Sequence, residues 1–406
     1  MRIIHSSDWH LGRSLYGRKR YEEHESFFNW LLELLDTENI DVLLVAGDIF
    51  DNTAPSNRAQ ELYYRFLCRV AESSCRHVVI TAGNHDSPSF LCAPRDLLRH
   101  LHIHIVGAGE SIDDEILVLK DPRGDVELIV CAVPYLRERD IRSVEAGESI
   151  EDKEKKVLEG IHRHYMQVFR RAEQLQAQLQ KHVPIVAMGH LFAAGGLKVE
   201  GDGVRDLYVG TLAQVGADIF PATIDYAALG HLHSAQMVGG NEKCRYSGSP
   251  LPMSFLEANR EKMVMKAVFS EGNVEVIPIA VPTFKALHTI RGNWERIQAQ
   301  VAKLKSLGIK AWLEIVYEGD EIIANLRERL DEAVAASELE ISRVGNLKAV
   351  ERSLAGEGEM LGELDVNEVF GRCLDAYEIA SNQREDLLAA YREVINALDT
   401  EDLLAE

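Results

Sequence analysis

Seven side chains suited to holding divalent metals, Asp8, His10, Asp48, Asn84, His190, His231 and His233, recur in short motifs that close apolar runs of this 406-residue chain. The first motif, SSDWHLG at 6–12, follows the pair Ile3-Ile4. If the strand stays extended through it, Asp8 and His10 project to one side and converge on one point. The next run ends in GDIFD, with Asp48 and Asp51, and the third in GNHD, with Asn84, His85 and Asp86. Later runs end in GH, with His190, and in GHLH, with His231 and His233. Carboxylate, amide oxygen and imidazole without thiolate suit Mn²⁺, Fe²⁺ or Zn²⁺. Seven donors exceed one ion and match two that share a bridge, for which Asp48 is the natural choice.

The elements that must carry these motifs read as an alternation. Buried strands are expected at 41–48, 77–84, 127–134, 184–190 and 226–233, with amphipathic helices at 25–36, 58–73 and 153–180 between them. This pattern predicts an α/β layered fold with its site at the carboxyl ends of the strands. Strands near 243–250, 262–270 and 274–281 come without long helices, so mixed or antiparallel pairing is expected there. We divide the chain into 1–281, a smaller α/β unit over 282–350, a Gly-rich acidic linker over 351–364 and a helical segment over 365–406. In that last segment Val366, Phe370, Cys373, Leu374 and Tyr377, then Leu387, Tyr391, Val394 and Leu398, follow helical spacing. The long helix at 153–180 is so charged that a solvated face is expected rather than a coiled coil.

The motifs D-x-H, G-D-x-x-D, G-N-H-D, G-H and G-H-x-H, in this order, resemble those of the calcineurin-like metallophosphoesterases. The strings SSDWHLG, AGNHDS, ALGHLH and YSGSPLPMSF are similar to one branch, the nuclease subunits of bacterial exonucleases that work with a coiled-coil ATPase. The resemblance implies a layered metallophosphoesterase β-sandwich flanked by helices, a smaller α/β capping domain that embraces DNA, and C-terminal helices that dock on the ATPase. It implies one ion held by Asp8, His10, Asp48 and His233, and a second held by Asp48, Asn84, His190 and His231. The ions would be Mn²⁺, with Fe²⁺ or Mg²⁺ as alternatives. His85 would assist the leaving oxygen, with Asp86 orienting its ring. Asp51 is either a loop anchor or a supporting residue. The implied assembly is a homodimer within a heterotetramer, with helices 58–73 and 90–102 at the dimer contact.

The implied activity is metal-dependent hydrolysis of DNA phosphodiesters, both exonuclease and single-strand or hairpin endonuclease. Arg13, Arg18, Lys19 and Arg20 follow His10 directly and are placed to meet phosphate. Arg137 and Arg139 in PYLRERD offer a weaker second site. The rival reading is a phosphomonoesterase of the same superfamily acting on nucleotides or phosphoproteins. A non-catalytic scaffold would lack some donors, whereas every expected position is filled. The net charge of −21 argues against a nonspecific DNA coat, although residues 351–406 alone hold 15 acidic against 4 basic residues. No apolar run reaches a membrane span, no leader is visible, and the six cysteines are widely scattered without a C-x-x-C, so a cytoplasmic protein is expected.

Overall fold

The computed structural model describes residues 1–346 except 110, 142–147, 180, 194–214, 217–218, 271, 320, 322 and 324, together with 370, 374, 384, 387, 388 and 391. The chain separates into two compact units, Met1–Ala286 and Leu287–Glu406.

The first unit opens with β1 (Arg2–Ser6), a short hairpin β2–β3 (Ser14–Leu15 and Arg18–Lys19) and α1 (Tyr21–Thr37). Then come β4 (Val42–Ala46), α2 (Asn57–Ala71), β5 (His77–Thr81), α3 (Pro88–Cys92), α4 (Arg95–Arg99) and β6 (Ile103–Val106). The next stretch holds β7 (Ile116–Lys120), β8 (Val126–Ala132), α5 (Glu138–Ile141), α6 (Ile150–Gln178), β9 (Ile185–His190), β10 (Tyr226–Gly230), β11 (Gln236–Val238) and β12 (Asn241–Tyr246). β13 (Lys262–Ser270) and β14 (Asn273–Val281) complete it. Two six-stranded sheets result, in the orders β14-β13-β1-β4-β5-β6 and β11-β12-β10-β9-β8-β7. β1, β4, β5 and β6 run parallel, as do β8, β9, β10 and β12, while β13 returns antiparallel against β1 and pairs with β14.

Composition explains the layering. The central strands, such as VLLVA of β4, are apolar at every position because each face meets a partner layer. Between the sheets, Ile3, Val42, Leu44 and Val79 pack with Leu128, Val130, Val186 and Met188. Outside the first sheet, Phe27, Phe28, Leu31 and Leu35 of α1 meet Tyr63, Phe66, Leu67 and Val70 of α2, with Phe28 and Phe66 stacked at 4.3 Å. Outside the second sheet, α6 buries Val157, Ile161, Tyr165, Val168, Phe169 and Ala172. The solvated-face reading of that helix is therefore half right: its charges lie on one side and a core stripe on the other. The expected helix over 90–102 is instead the two short turns α3 and α4, with Pro94 capping the second. Leu91 and Leu98 are buried there, and Leu97 and Leu101 are exposed.

In the second unit β15 (Ala286–Gly292), α7 (Trp294–Ser306), β16 (Ala311–Tyr317), α8 (Leu326–Val334) and β17 (Leu339–Asn346) build a three-stranded sheet in the order β15-β16-β17. Asn293 caps α7 by accepting from the Arg296 N–H, and the Arg329 guanidinium sits 4.5 Å over the Trp294 ring. The linker over 351–364 and most of the helical segment over 365–406 lie outside the described residues; of that segment, the Phe370 and Tyr391 rings stack at 3.9 Å.

Candidate metal centre

β1 ends at Ser6, and Asp8 and His10 do not continue it. Both take left-handed backbone conformations, φ +52° and +47°, and Asp48 does the same at +50°. The extended-strand expectation for the D-x-H pair is thus corrected: two sharp turns, not strand alternation, aim the side chains. Such a turn is uncommon for a residue with a Cβ and must be held by its surroundings. Trp9 does much of the holding. It is fully buried between Phe27, Phe28 and Phe66, and its Nε1 donates to Ser6 Oγ at 2.9 Å. His24 Nε2 meets the Trp9 carbonyl at 2.9 Å. The backbone N–H groups of Asp8, His10 and Leu11 donate to the carbonyls of Gly47, Asp48 and Ile49, tying this loop to the one after β4.

Asp48 lies between two groups of donors. Its Oδ1 accepts from the His85 N–H at 2.9 Å, which leaves Oδ2 facing the site. That oxygen is 3.6 Å from His10 Nε2 and 3.4 Å from His190 Nε2. On the first side, the Nε2 atoms of His10 and His233 stand 3.1 Å apart, and Asp8, His10 and His233 can each offer one atom within 4.8 Å of the others. On the second, Asn84 Oδ1 is 3.0 Å from His190 Nε2, and Asp8, Asp48 and His190 form another such group. The His231 ring lies 5.4 Å from that of His190, and its backbone N–H donates to the Asp8 carboxylate at 3.0 Å. A third group, His10, Asp51 and His85, borders the first.

These donors fit metal ions. Lone-pair atoms turned toward one another at such distances repel unless a proton or a metal cation lies between them, and a cluster of this many donors suits metal cations. Ring nitrogens about 2.0–2.1 Å from an ion at a right angle would be about 3 Å apart. His190 Nδ1 donates to the Ala46 carbonyl at 3.0 Å, which fixes the ring and reserves Nε2 for the site. Asp51 Oδ1 lies 3.4 Å from His10 Nδ1 and accepts from Arg13 Nη1 at 3.4 Å, which places its carboxylate beside the His10 ring.

The charges of the site act on one another. Burial pushes the Asp8 carboxyl up to about 6, against the pull of His190 and with the push of Asp48. Burial also opposes ionisation of Asp48, yet His190 and His10 hold it well below the usual carboxylate range. Burial would lower His190, but the adjacent Asp48 carries it up to about 9. The glycines before the donors allow this crowding: a Cβ at Gly47, itself at φ +81°, would fall onto His190 Nδ1, and one at Gly83 onto Asp48 Oδ1.

Two sequence expectations change. Asp86 does not orient His85. Its carboxylate accepts from the N–H groups of Gly83, Ile49 and Phe50, clamping the two loops, and the Asp51 carbonyl meets His85 Nδ1 at 2.8 Å instead. Arg20 does not face phosphate. It is 2 % exposed and grips Glu23 through Nε and Nη2, at 2.9 and 2.6 Å. Of its neighbours on and beside the β2–β3 hairpin, Lys19 is exposed, and Arg13 and Arg18 are half-buried.

Sequence reasoning missed a supporting network. Lys262 Nζ, buried, donates to the His233 carbonyl at 3.0 Å, to Ser249 Oγ at 2.9 Å and to the Glu257 carboxylate. Ser7 Oγ bonds the Asp8 carboxylate and Ser247 Oγ. The serines stand in motifs already noted, SSD and SGS, but Lys262 and Glu257 carry no local signal.

Comparison with known proteins identifies the family. A family model described as calcineurin-like phosphoesterase matches residues 1–235, and SbcD_C, described as type 5 capsule protein repressor C-terminal domain, matches 283–378. The SbcD subunit of nuclease SbcCD from Escherichia coli (strain K12) is 36% identical over 404 residues, covering 98% of each chain. Proteins of the same name from Rhodobacter capsulatus and Bacillus subtilis (strain 168) are 38% and 34% identical; they cover 63% and 65% of this chain and 64% and 65% of their own. The chain belongs to the calcineurin-like phosphoesterases and, within them, to the SbcD family of nuclease subunits.

Proposed function

We propose that this chain is a metal-dependent DNA nuclease that hydrolyses phosphodiester bonds, as the nuclease component of an SbcCD-type repair complex. The observation that carries the reading is Asp48 Oδ2, placed 3.6 Å from His10 Nε2 and 3.4 Å from His190 Nε2, where one oxygen serves both groups of donors. Asp8, His10, Asp48 and His233 would hold one ion, and Asp48, Asn84, His190 and His231 the other, with Mn²⁺ the expected metal. Two bound divalent cations supply Lewis acidity that activates water and neutralises charge developing on the phosphate.

The protein's own groups do the rest. The Asp51 carbonyl keeps a proton on His85 Nδ1, which leaves Nε2 to carry the proton delivered to the departing oxygen. Ser7, the His231 N–H and the Asp86 clamp hold Asp8 and the 83–87 loop in register. Lys19, Arg13 and Arg18 meet the DNA backbone beside the site. The second unit is read as a capping domain. The segment over 365–406 is read as the docking element for an SbcC-type coiled-coil ATPase, in a homodimer within a heterotetramer. No helix among the described residues is long and apolar enough to cross a membrane; a cytoplasmic protein, nucleoid-associated when on DNA, fits the reading.

The test pairs elemental analysis with degradation of linear duplex DNA. Manganese-loaded wild type should hold two ions per chain and shorten the duplex, and Asp48→Asn should lose both properties. A wild type that holds its metal but only releases inorganic phosphate from monoesters would establish the phosphatase alternative instead.

A further inference from the structure

A cavity of about 390 Å³ borders the 83–87 loop, lined by Arg95, Arg137, Arg139, Ser87, Ser89 and Tyr135 among others. None of the basic residues of the β2–β3 hairpin lines it. It is tied to the metal centre at several points. Ser87 follows His85 and Asp86 directly, and Arg137 Nη2 donates to the Asp86 carbonyl at 3.3 Å. The Tyr135 N–H donates to the Ala82 carbonyl at 2.8 Å, and its ring stands edge-on to His190 at 6.5 Å.

Charge singles the cavity out. The chain carries a net −21, yet three guanidiniums line one pocket. Asp114 and Asp140 also line it; Asp140 pairs with Arg139 at 3.6 Å and accepts the Arg137 backbone N–H at 3.3 Å. Arg95 and Arg137 have no ion pair among the described residues, so their charge is left to attract an anion. Guanidiniums with serine hydroxyls at hand are the usual protein ligands of phosphate oxygens. The half-buried Tyr135 brings an aromatic ring to the same cavity, and aromatic rings are the side chains on which bases stack. The volume falls within the range of small-molecule sites, about 300–1,000 Å³.

We propose that this cavity is a nucleotide subsite. It receives the nucleotide adjoining the scissile phosphodiester, with Arg95 and Arg137 on the phosphate and Tyr135 against the base. The assignment rests on reading the metal centre as a DNA nuclease site, and it adds a residue set that positions the cut strand.

The probes are thymidine 5′-monophosphate and inorganic phosphate, titrated calorimetrically into the full manganese-loaded chain. The pair Arg95→Ala/Arg137→Ala should weaken both ligands at least ten-fold and raise KM for linear DNA by a similar factor, with metal content retained. Tyr135→Ala should weaken the nucleotide and leave inorganic phosphate unchanged. Arg123→Ala, on an exposed turn, should change neither affinity. If the double variant fails to fold, Arg95→Ala alone, at an exposed position, should move both affinities the same way. Unchanged nucleotide affinity in a folded, metal-loaded double variant means that the metals alone bind the nucleotide, and overturns the subsite. A wild type that leaves DNA intact while its nucleotide affinity depends on these arginines overturns the nuclease reading and keeps the subsite.

Discussion

The imidazole of His85 is held by the main chain of Asp51: Nδ1 meets that residue's carbonyl oxygen at 2.8 Å. The ring's orientation therefore depends on the course of the loop after β4 and not on the Asp51 side chain. His85→Gln should keep its metal and lose cleavage by about 10²- to 10⁴-fold, the range for removal of a general acid. Asp51→Ala should leave His85 in place and act through His10 alone, lowering metal affinity by about 10-fold. Metal content and single-turnover cleavage, measured on the same preparations, separate the two. A fully active His85→Gln would remove the proposed proton donor.

Arg20 and Lys19 are adjacent in sequence and should behave oppositely. Arg20→Ala strands the buried Glu23 carboxylate and should cost about 3–5 kcal/mol of stability. Lys19→Ala should leave stability alone and reduce the salt dependence of DNA binding by about one ion. Denaturant titration and DNA affinity at several salt concentrations read these out. Reversed behaviour would return Arg20 to the DNA surface.

Lys262 supports the 231–233 loop from behind. Lys262→Met leaves Glu257 buried without its cation and removes the donor to the His233 carbonyl. We expect about 3–5 kcal/mol of destabilisation together with weaker metal binding. Adding Glu257→Leu should restore most of the stability but not the metal affinity. If both return together, the lysine matters only for folding.

His5 sits between the two sheets, with Nδ1 2.8 Å from the Tyr226 hydroxyl and Nε2 3.2 Å from the Leu229 carbonyl. A neutral ring satisfies both partners, accepting from the hydroxyl and donating to the carbonyl. Burial pulls this imidazole down from 6.5 to about 3. Below pH 6.5 the unfolded chain takes up a proton that the folded ring refuses. Stability from this residue is therefore complete above 6.5 and declines as pH falls toward 3, at about 1.4 kcal/mol per pH unit. Unfolding free energies measured between pH 6.5 and 4.5 should show a shallower slope in His5→Gln. An identical slope would mean that His5 is already charged in the fold.

The donor set was legible because each motif is local: a few polar residues at the end of an apolar run, in four of the five directly after a Gly. What a strand-based reading could not supply was the geometry of the turns. Asp8 and His10 converge through left-handed backbone held by Trp9, and the Trp between them was the unused clue. Charge alone misled at Arg20, since its partner Glu23 lies in the first turn of α1 and the pairing depends on burial. Lys262 was invisible because its hydrogen bond to the His233 carbonyl spans dozens of residues and leaves no periodicity. The helix over 90–102 failed for a simpler reason: Pro94 starts a new turn there.

The donors hang from opposite walls of the sandwich, Asp8, His10, Asp48 and Asn84 from one sheet and His190, His231 and His233 from the other. A half-made polypeptide on the ribosome, ended before His190, thus owns the carboxylates but none of the three later imidazoles. On the proposed reading it would lack the donors for a complete pair of ions. Cleavage would then begin only once translation has delivered the far wall.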